Sequence, residues 1–143
     1  MIRELAEYER EPDAVVADEG MLHASLFCEH PAVFVLIAEM DGAISGFALW
    51  FRNFSTWLGR HGIYLEDLYV RPEFRGRGIG RALLRELATI CERDGYGRLE
   101  WWVLDWNKPA WDFYEKVGAI PMTEWTVHRV TGDALRQLAQ EDS

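Results

Sequence analysis

The chain is poor in cysteine, short of basic residues and without any long apolar run. Its two cysteines, Cys28 and Cys91, stand alone with neither CxxC spacing nor a histidine cluster beside them. That gives a disulfide framework or a zinc site little support; both cysteines read as small core hydrophobes. No apolar stretch reaches the ~18 residues needed to cross a bilayer, and the opening MIRELAEYEREP is too charged for a secretory signal. The expectation is a cytoplasmic protein with no membrane partner. Fifteen basic residues against 24 acidic ones leave a net charge of −9, which argues against broad binding of nucleic acid, whose phosphates an acidic surface repels. No repeat, low-complexity tract or long linker interrupts the 143 residues, so residues 1–143 read as one domain. At 49% hydrophobic and 27% charged, the composition is that of a folded chain.

The pattern along the chain predicts mixed structure. Ile2, Leu5, Ala6 and Tyr8 share a face of a short helix ended by Pro12, and a second helix follows Asp18 with Met21, Leu22, Leu26 and Phe27 as its apolar stripe. Val33 to Met40 and Ile44 to Arg52 are rich in branched and aromatic residues around Asp41-Gly42, a hairpin signal. A further strand, Ile63 to Val70, is stopped by Pro72. Ile79, Leu83, Leu84, Leu87, Ile90 and Cys91 then recur at helical spacing up to Gly95 and Gly97. Leu99 to Leu104 reads as a buried strand, Asn107 as the N-cap of a helix through Val117 that Gly118 stops, Glu124 to Val130 as a last strand, and Thr131 as the cap of a final helix carrying Leu135 and Leu138. Hairpins in the first half and strand-helix-strand in the second make an α/β (α+β) mixed sheet.

In this acidic chain one stretch is basic: Arg71, Arg75, Arg77, Arg81 and Arg85 lie within 15 residues, with Glu73 inside and Glu86 at the edge. The partner it suits is small and anionic. Arg75-Gly76-Arg77-Gly78-Ile79-Gly80 sits between a strand and a strong helix, where free backbone N–H groups and the helix dipole favour an anion and glycines admit a phosphate to the backbone. The spacing is neither GxxxxGK[ST] nor GxGxxG, which excludes a P-loop and a dinucleotide fold. For the arginine side chains, a solvated helix stripe at spacing four explains Arg77, Arg81 and Arg85 equally well.

Arg75-x-x-Gly78-x-Gly80 after a strand and before a helix resembles the acetyl-CoA pyrophosphate loop of the GNAT acetyltransferases. The similarity extends through Tyr64-Leu65-Glu66-Asp67-Leu68-Tyr69-Val70, then Trp106-Asn107-x-Pro109 and Phe113-Tyr114-x-x-x-Gly118-Ala119, and is nearest to the spermidine/spermine (diamine) and thialysine N-acetyltransferases. Four blocks in order, with weaker similarity from Leu5-Ala6-x-Tyr8-Glu9 to the last helix, cover nearly the whole chain. The resemblance implies a GNAT-like fold without the usual first strand, whose loss would open a sheet edge for a homodimer partner to cover. It also implies acetyl-CoA as co-substrate, bound by residues 75–81 (Arg75, Gly76, Arg77, Gly78, Ile79, Gly80, Arg81), by Asn107, and by the strand at Leu68, Tyr69 and Val70, whose backbone N–H groups would hold the oxyanion.

The acceptor implied is the primary amine of a polyamine, diamine or lysine-like amino acid. Such an amine titrates near ~10.4 and must lose a proton before it attacks a thioester, so a carboxylate is needed. Glu66 and Asp67 interrupt a strand otherwise made of Tyr64, Leu65, Leu68 and Tyr69. As strand neighbours they are expected on opposite faces; by resemblance Glu66 is the base, acting through water, and Asp67 helps to hold the cation. Tyr114 matches the residue that protonates the leaving thiolate, although packing with Trp111 and Phe113 also accounts for it. Tyr8, Glu9 and Trp125 occupy acceptor-side positions where simple packing is an equal explanation, and N-capping explains Asn107. No metal is expected. Acetylation of a protein amine and an idle acyl-CoA-binding module are the rival readings.

Overall fold

The computed structural model describes residues 1–140. In chain order these form α1 (Ile2–Tyr8), a 3-10 turn (Pro12–Ala14), α2 (Glu19–Leu26), β1 (Val33–Met40), β2 (Ala43–Ser55), β3 (Arg60–Val70), a second 3-10 turn (Pro72–Phe74), α3 (Ile79–Asp94), β4 (Leu99–Trp101), α4 (Lys108–Lys116) and α5 (Gly132–Gln140). The strands make one mixed sheet in the order β1-β2-β3-β4, with the first two pairings antiparallel and the last parallel. Asp41 and Gly42 turn the first hairpin with φ of 53° and 77°, the backbone that a tight two-residue turn demands.

Alternation sends successive strand residues to two cores. On one face α3 buries Ile79, Leu83, Leu84, Leu87, Ile90 and Cys91, the six positions that its sequence spacing singles out, against Ala48, Trp50, Ile63 and Leu65. On the other, Leu5 of α1 packs on Phe47, Leu49 and Tyr69. Burying a Leu or Phe side chain in either layer contributes about 1.5–3 kcal/mol, so α1 is held to the sheet mainly by Leu5.

One irregularity in this pattern builds the site. Leu49 of β2 pairs with Asp67 but the next residue, Trp50, pairs with Leu65, so Glu66 is an extra residue in β3, a β-bulge. Before it Ile63 and Leu65 face α3; after it Leu68 and Val70 do. The one-residue slip turns Asp67 and Tyr69 toward α1. The parallel pairing with β4 also stops here, its last pair being Leu65 with Trp101. Beyond the bulge β3 runs on with its β4-side edge uncovered by β4.

Four expectations need correction. Leu99–Leu104 is a strand only to Trp101, because the bulge ends the ladder it would join. Glu124–Val130 forms no strand; it finds no strand to pair with among the described residues, and a lone strand has no ladder to satisfy its backbone. Cys28 is exposed just beyond α2 rather than in the core, while Cys91 is buried. In α2 Leu22 and Leu26 turn inward and Met21 and Phe27 stay exposed, so the stripe is half as wide as the sequence suggests.

Candidate active site

Opposite the bulge, α1 ends beside β3. A cavity of about 180 Å³ is lined by Ile2, Leu5, Ala6, Glu9, Glu11, Ala14, Val15 and Asp67. Its walls are aliphatic and its polar groups are three carboxyls. Burial, then Glu66, then Glu9 push the Asp67 carboxyl up to about 6; Glu9 is also raised, by burial and by Glu66. Glu66 and Asp67 both act on Glu9 or feel it, so the bulge gathers on the α1 side two carboxyls that simple alternation sends to opposite faces.

The uncovered edge of β3 adjoins this acid cluster. The Arg71 N–H donates to Ser45 O at 2.9 Å, which makes Phe47 and Tyr69 the next hydrogen-bonded pair and directs the N–H and C=O groups of Leu68 and Val70 to the opposite edge. Val70 O accepts there from Arg75 Nε at 2.9 Å. Two parallel N–H groups thus face the gap left where β4 stops.

Tyr114, on α4, packs against Trp101 with ring centroids 4.9 Å apart and against Phe113 at 5.4 Å. Its hydroxyl is pushed up to about 12, chiefly by burial and then by Glu9 and Tyr8, which ties α4 to the acid cluster. The Tyr8 hydroxyl donates to Asn107 Oδ1 at 3.0 Å across 99 residues of sequence. Asn107 does stand at the N-cap of α4, but its side chain makes no capping bond and is buried against Tyr8. Trp125 is not brought to this cavity within the chain; it is exposed, as is every described residue from Ile120 on.

At the far end of β3 the turn Pro72–Phe74 leads into the glycine segment. Gly76 and Gly78 have φ of 77° and 79°, and a Cβ at either would meet nothing within 4 Å, so these glycines answer to backbone shape and leave open space in front. Gly78 caps the 16-residue α3 without a side-chain bond, leaving first-turn N–H groups free for an anion. Gly80 packs near Phe113, with 3.6 Å to a notional Cβ. Arg81 is exposed, and Arg77 reaches Asp41 at 3.8 Å and Met40 Sδ at 3.6 Å. The Arg75 guanidinium is held at Val70 O, 5.2 Å from the Tyr8 ring and 5.5 Å from that of Tyr69.

Residues 2–119 match the Acetyltransferase (GNAT) family. The chain belongs to the GNAT acetyltransferases. A thialysine N-epsilon-acetyltransferase of Bos taurus is 43% identical over 150 residues, covering 97% of this chain and 88% of that protein. The L-ornithine N5-acetyltransferase of Arabidopsis thaliana is 42% identical over 98 residues, 68% of this chain and 43% of that one. Among solved structures, an integron cassette protein from the mobile metagenome of V. cholerae superposes with a TM-score of 0.81 at 30% identity, over 96% of this chain and 86% of that chain. This GNAT member is an N-acetyltransferase. Its family uses acetyl-CoA, and the residues present fit that group: free N–H groups at an open glycine turn for the pyrophosphate, and a strand gap with two N–H groups for the thioester.

The raised Asp67 carboxyl has a consequence for stability. Its folded value of about 6 lies above the unfolded 3.8, so the native protein holds the proton more tightly, and stability falls as pH rises from about 4 to about 6. Asp67→Asn removes that penalty. Calorimetric melts are expected to show the variant more stable by on the order of 5 °C at pH 7.5, with the difference vanishing toward pH 4. Equal melting temperatures at pH 7.5 would mean that Asp67 is solvated.

Proposed function

We propose that the chain transfers the acetyl group of acetyl-CoA to the primary amine of a small cationic acceptor, a polyamine, diamine or lysine-like amino acid. The observation that carries this reading is the cavity with aliphatic walls and the carboxyls of Glu9, Glu11 and Asp67, the last of them on β3 just before the stretch that β4 leaves uncovered. Aliphatic walls suit a methylene chain and the carboxyls suit the ammonium.

Acetyl-CoA, when bound, supplies the acetyl group as an activated thioester. Gly76, Gly78, Ile79 and Gly80 offer backbone N–H groups to its pyrophosphate, and Arg77 and Arg81 add charge at the rim. Asp67 and Glu9 hold the acceptor's cation. Glu66 takes the amine proton through water, the Leu68 and Val70 N–H groups stabilise the charge that develops on the carbonyl oxygen, and the Tyr114 hydroxyl donates its proton to the departing sulfur. Tyr8 and Asn107 brace the two halves of the cleft through their hydrogen bond.

Residues 1–143 work as one domain in this reading, and two copies pair. The homodimer is supported by the apolar side chains of Ile120, Met122, Trp125, Val127, Leu135 and Leu138, all exposed beyond α4, and by the open edge of β1, where Ile37 is also exposed. A cytoplasmic setting suits two unpaired thiols, one of them exposed. Release of free thiol from acetyl-CoA, measured across a panel of amines, tests the function. Cationic primary amines are expected to be acetylated, with KM rising as added salt screens the cavity. A preference for neutral or acidic amines would overturn it, and tight acetyl-CoA binding with no amine turned over would mark an idle binding module.

A further inference from the structure

We infer that Arg75, the residue that opens the glycine turn, is a positioning residue for the acceptor: through the Tyr8 ring it fixes the last turn of α1 and so places Glu9 in the cavity. The inference rests on the amine-acetylation reading above and adds to it a link between the cofactor turn and the acceptor site.

α1 is seven residues long and is held differently along its length. Glu4, in the first turn, pairs with the amino terminus at 2.8 Å and with Arg71 at 3.4 Å, and Leu5 packs into the core on Phe47, Leu49 and Tyr69. These ties lie ahead of the cavity carboxyls. The last turn, which carries Tyr8 and leads into Glu9, buries no residue beyond Ala6. A helix this short is not stable by itself in water, so that turn keeps its place by what its side chains touch.

Those contacts gather around Tyr8. Its hydroxyl donates to Asn107 Oδ1 at 3.0 Å, and Arg10, two residues on, lies over the Trp106 ring at 4.0 Å; both run to the segment before α4. The tie to β3 is Arg75. Its Nε donates to Val70 O at 2.9 Å, and its guanidinium stands 5.2 Å from the centre of the Tyr8 ring and 5.5 Å from that of Tyr69, which is buried with Leu5. An aromatic ring attracts a cation at this range, so one side chain joins the end of α1 to the end of β3. Arg75 also opens the turn whose N–H groups face an anion, and therefore belongs to both sites.

Steady-state thiol release with 1,5-diaminopentane varied at saturating acetyl-CoA tests this in the full chain. Arg75→Gln keeps an N–H donor and removes the charge that the rings attract. It is expected to raise KM for the amine about 10-fold with kcat within about 3-fold, as loss of ground-state binding implies. Arg75→Lys, which restores the cation, is expected to recover most of that KM. Tyr8→Leu severs the same link from the other end and is expected to raise KM as much, after which adding Arg75→Gln changes KM by less than about 2-fold. Amide exchange gives a readout apart from turnover. The Glu9 and Glu11 N–H groups donate to Leu5 O and Ala6 O at 2.9 Å each, and are expected to exchange about 10-fold faster in Arg75→Gln, while the Leu5 N–H, bonded to Met1 O at 2.9 Å, keeps its rate. A wild-type amine KM in Tyr8→Leu, or in an Arg75→Gln protein that loses only calorimetric affinity for CoA, would confine Arg75 to the cofactor and overturn the inference. Additive effects of the two substitutions, or unchanged exchange with the amine still turned over, would overturn it too while the amine reading stands. If the wild-type chain acetylates no amine, the amine reading fails and this one fails with it.

Discussion

Tyr114→Phe is expected to lower kcat on the order of 10²-fold with little change in KM or in melting temperature. The expectation follows from where the hydroxyl is. Burial, with Glu9 and Tyr8 nearby, lifts it to about 12, so it stays protonated across the working range and keeps a proton to give. In the proposed reaction the departing thiolate is the group that needs one, and a positioned general acid contributes typically 10²–10⁴-fold. Phenylalanine preserves the ring contacts with Trp101 and Phe113 and removes only the donor. The sign of the pH effect is fixed as well. Because the shift is upward, loss of the acid through ionisation should not appear in kcat below about pH 10, the ordinary tyrosine value. Single-turnover measurements with acetyl-CoA at saturation check both points. An unchanged kcat in a folded Tyr114→Phe protein would make Tyr114 a packing residue.

How far the residues alone reach is set by the range of the forces involved. The helix at Ile79–Asp94 is legible because six apolar residues at three- and four-residue spacing leave one buried face, and nothing distant is needed to decide it. The Asp41-Gly42 hairpin and the glycine turn before α3 are legible for the same local reason: positive φ is a demand on single residues. The placing of Glu66 and Asp67 is not legible. Alternation sends them to opposite faces, and it fails because β2 and β3 slip by one residue at Leu49 and Trp50, a choice made by pairing across the sheet. That slip also ends β4 at Trp101. Asn107 reads as a cap, yet its side chain turns to a hydroxyl 99 residues away. Glu124–Val130 has the composition of a strand but pairs with none of the four strands. In each miss the contacts made, or not made, with distant parts of the chain override a short-range rule.

Glu66→Gln is the second large effect expected, and paired with Asp67→Asn it bears most directly on the central claim, that an acidic cluster gathered at a strand bulge both holds and deprotonates a cationic amine. Both substitutions are near-isosteric and remove one charge each from neighbouring positions, so a merely structural or merely electrostatic role would affect the two alike. Proton transfer and cation binding separate them. Glu66→Gln removes the proton acceptor and is expected to lower kcat about 10²- to 10⁴-fold with KM nearly kept. Asp67→Asn removes a contact made in ground and transition states alike, and is expected to raise KM for the cationic amine about 10-fold or more with a smaller loss in kcat. The measurement is steady-state thiol release for wild type and the two variants with one cationic amine varied at saturating acetyl-CoA. A kcat loss confined to Glu66→Gln and a KM rise confined to Asp67→Asn is the predicted result; wild-type KM in Asp67→Asn for every cationic acceptor, or full kcat in Glu66→Gln, would contradict it.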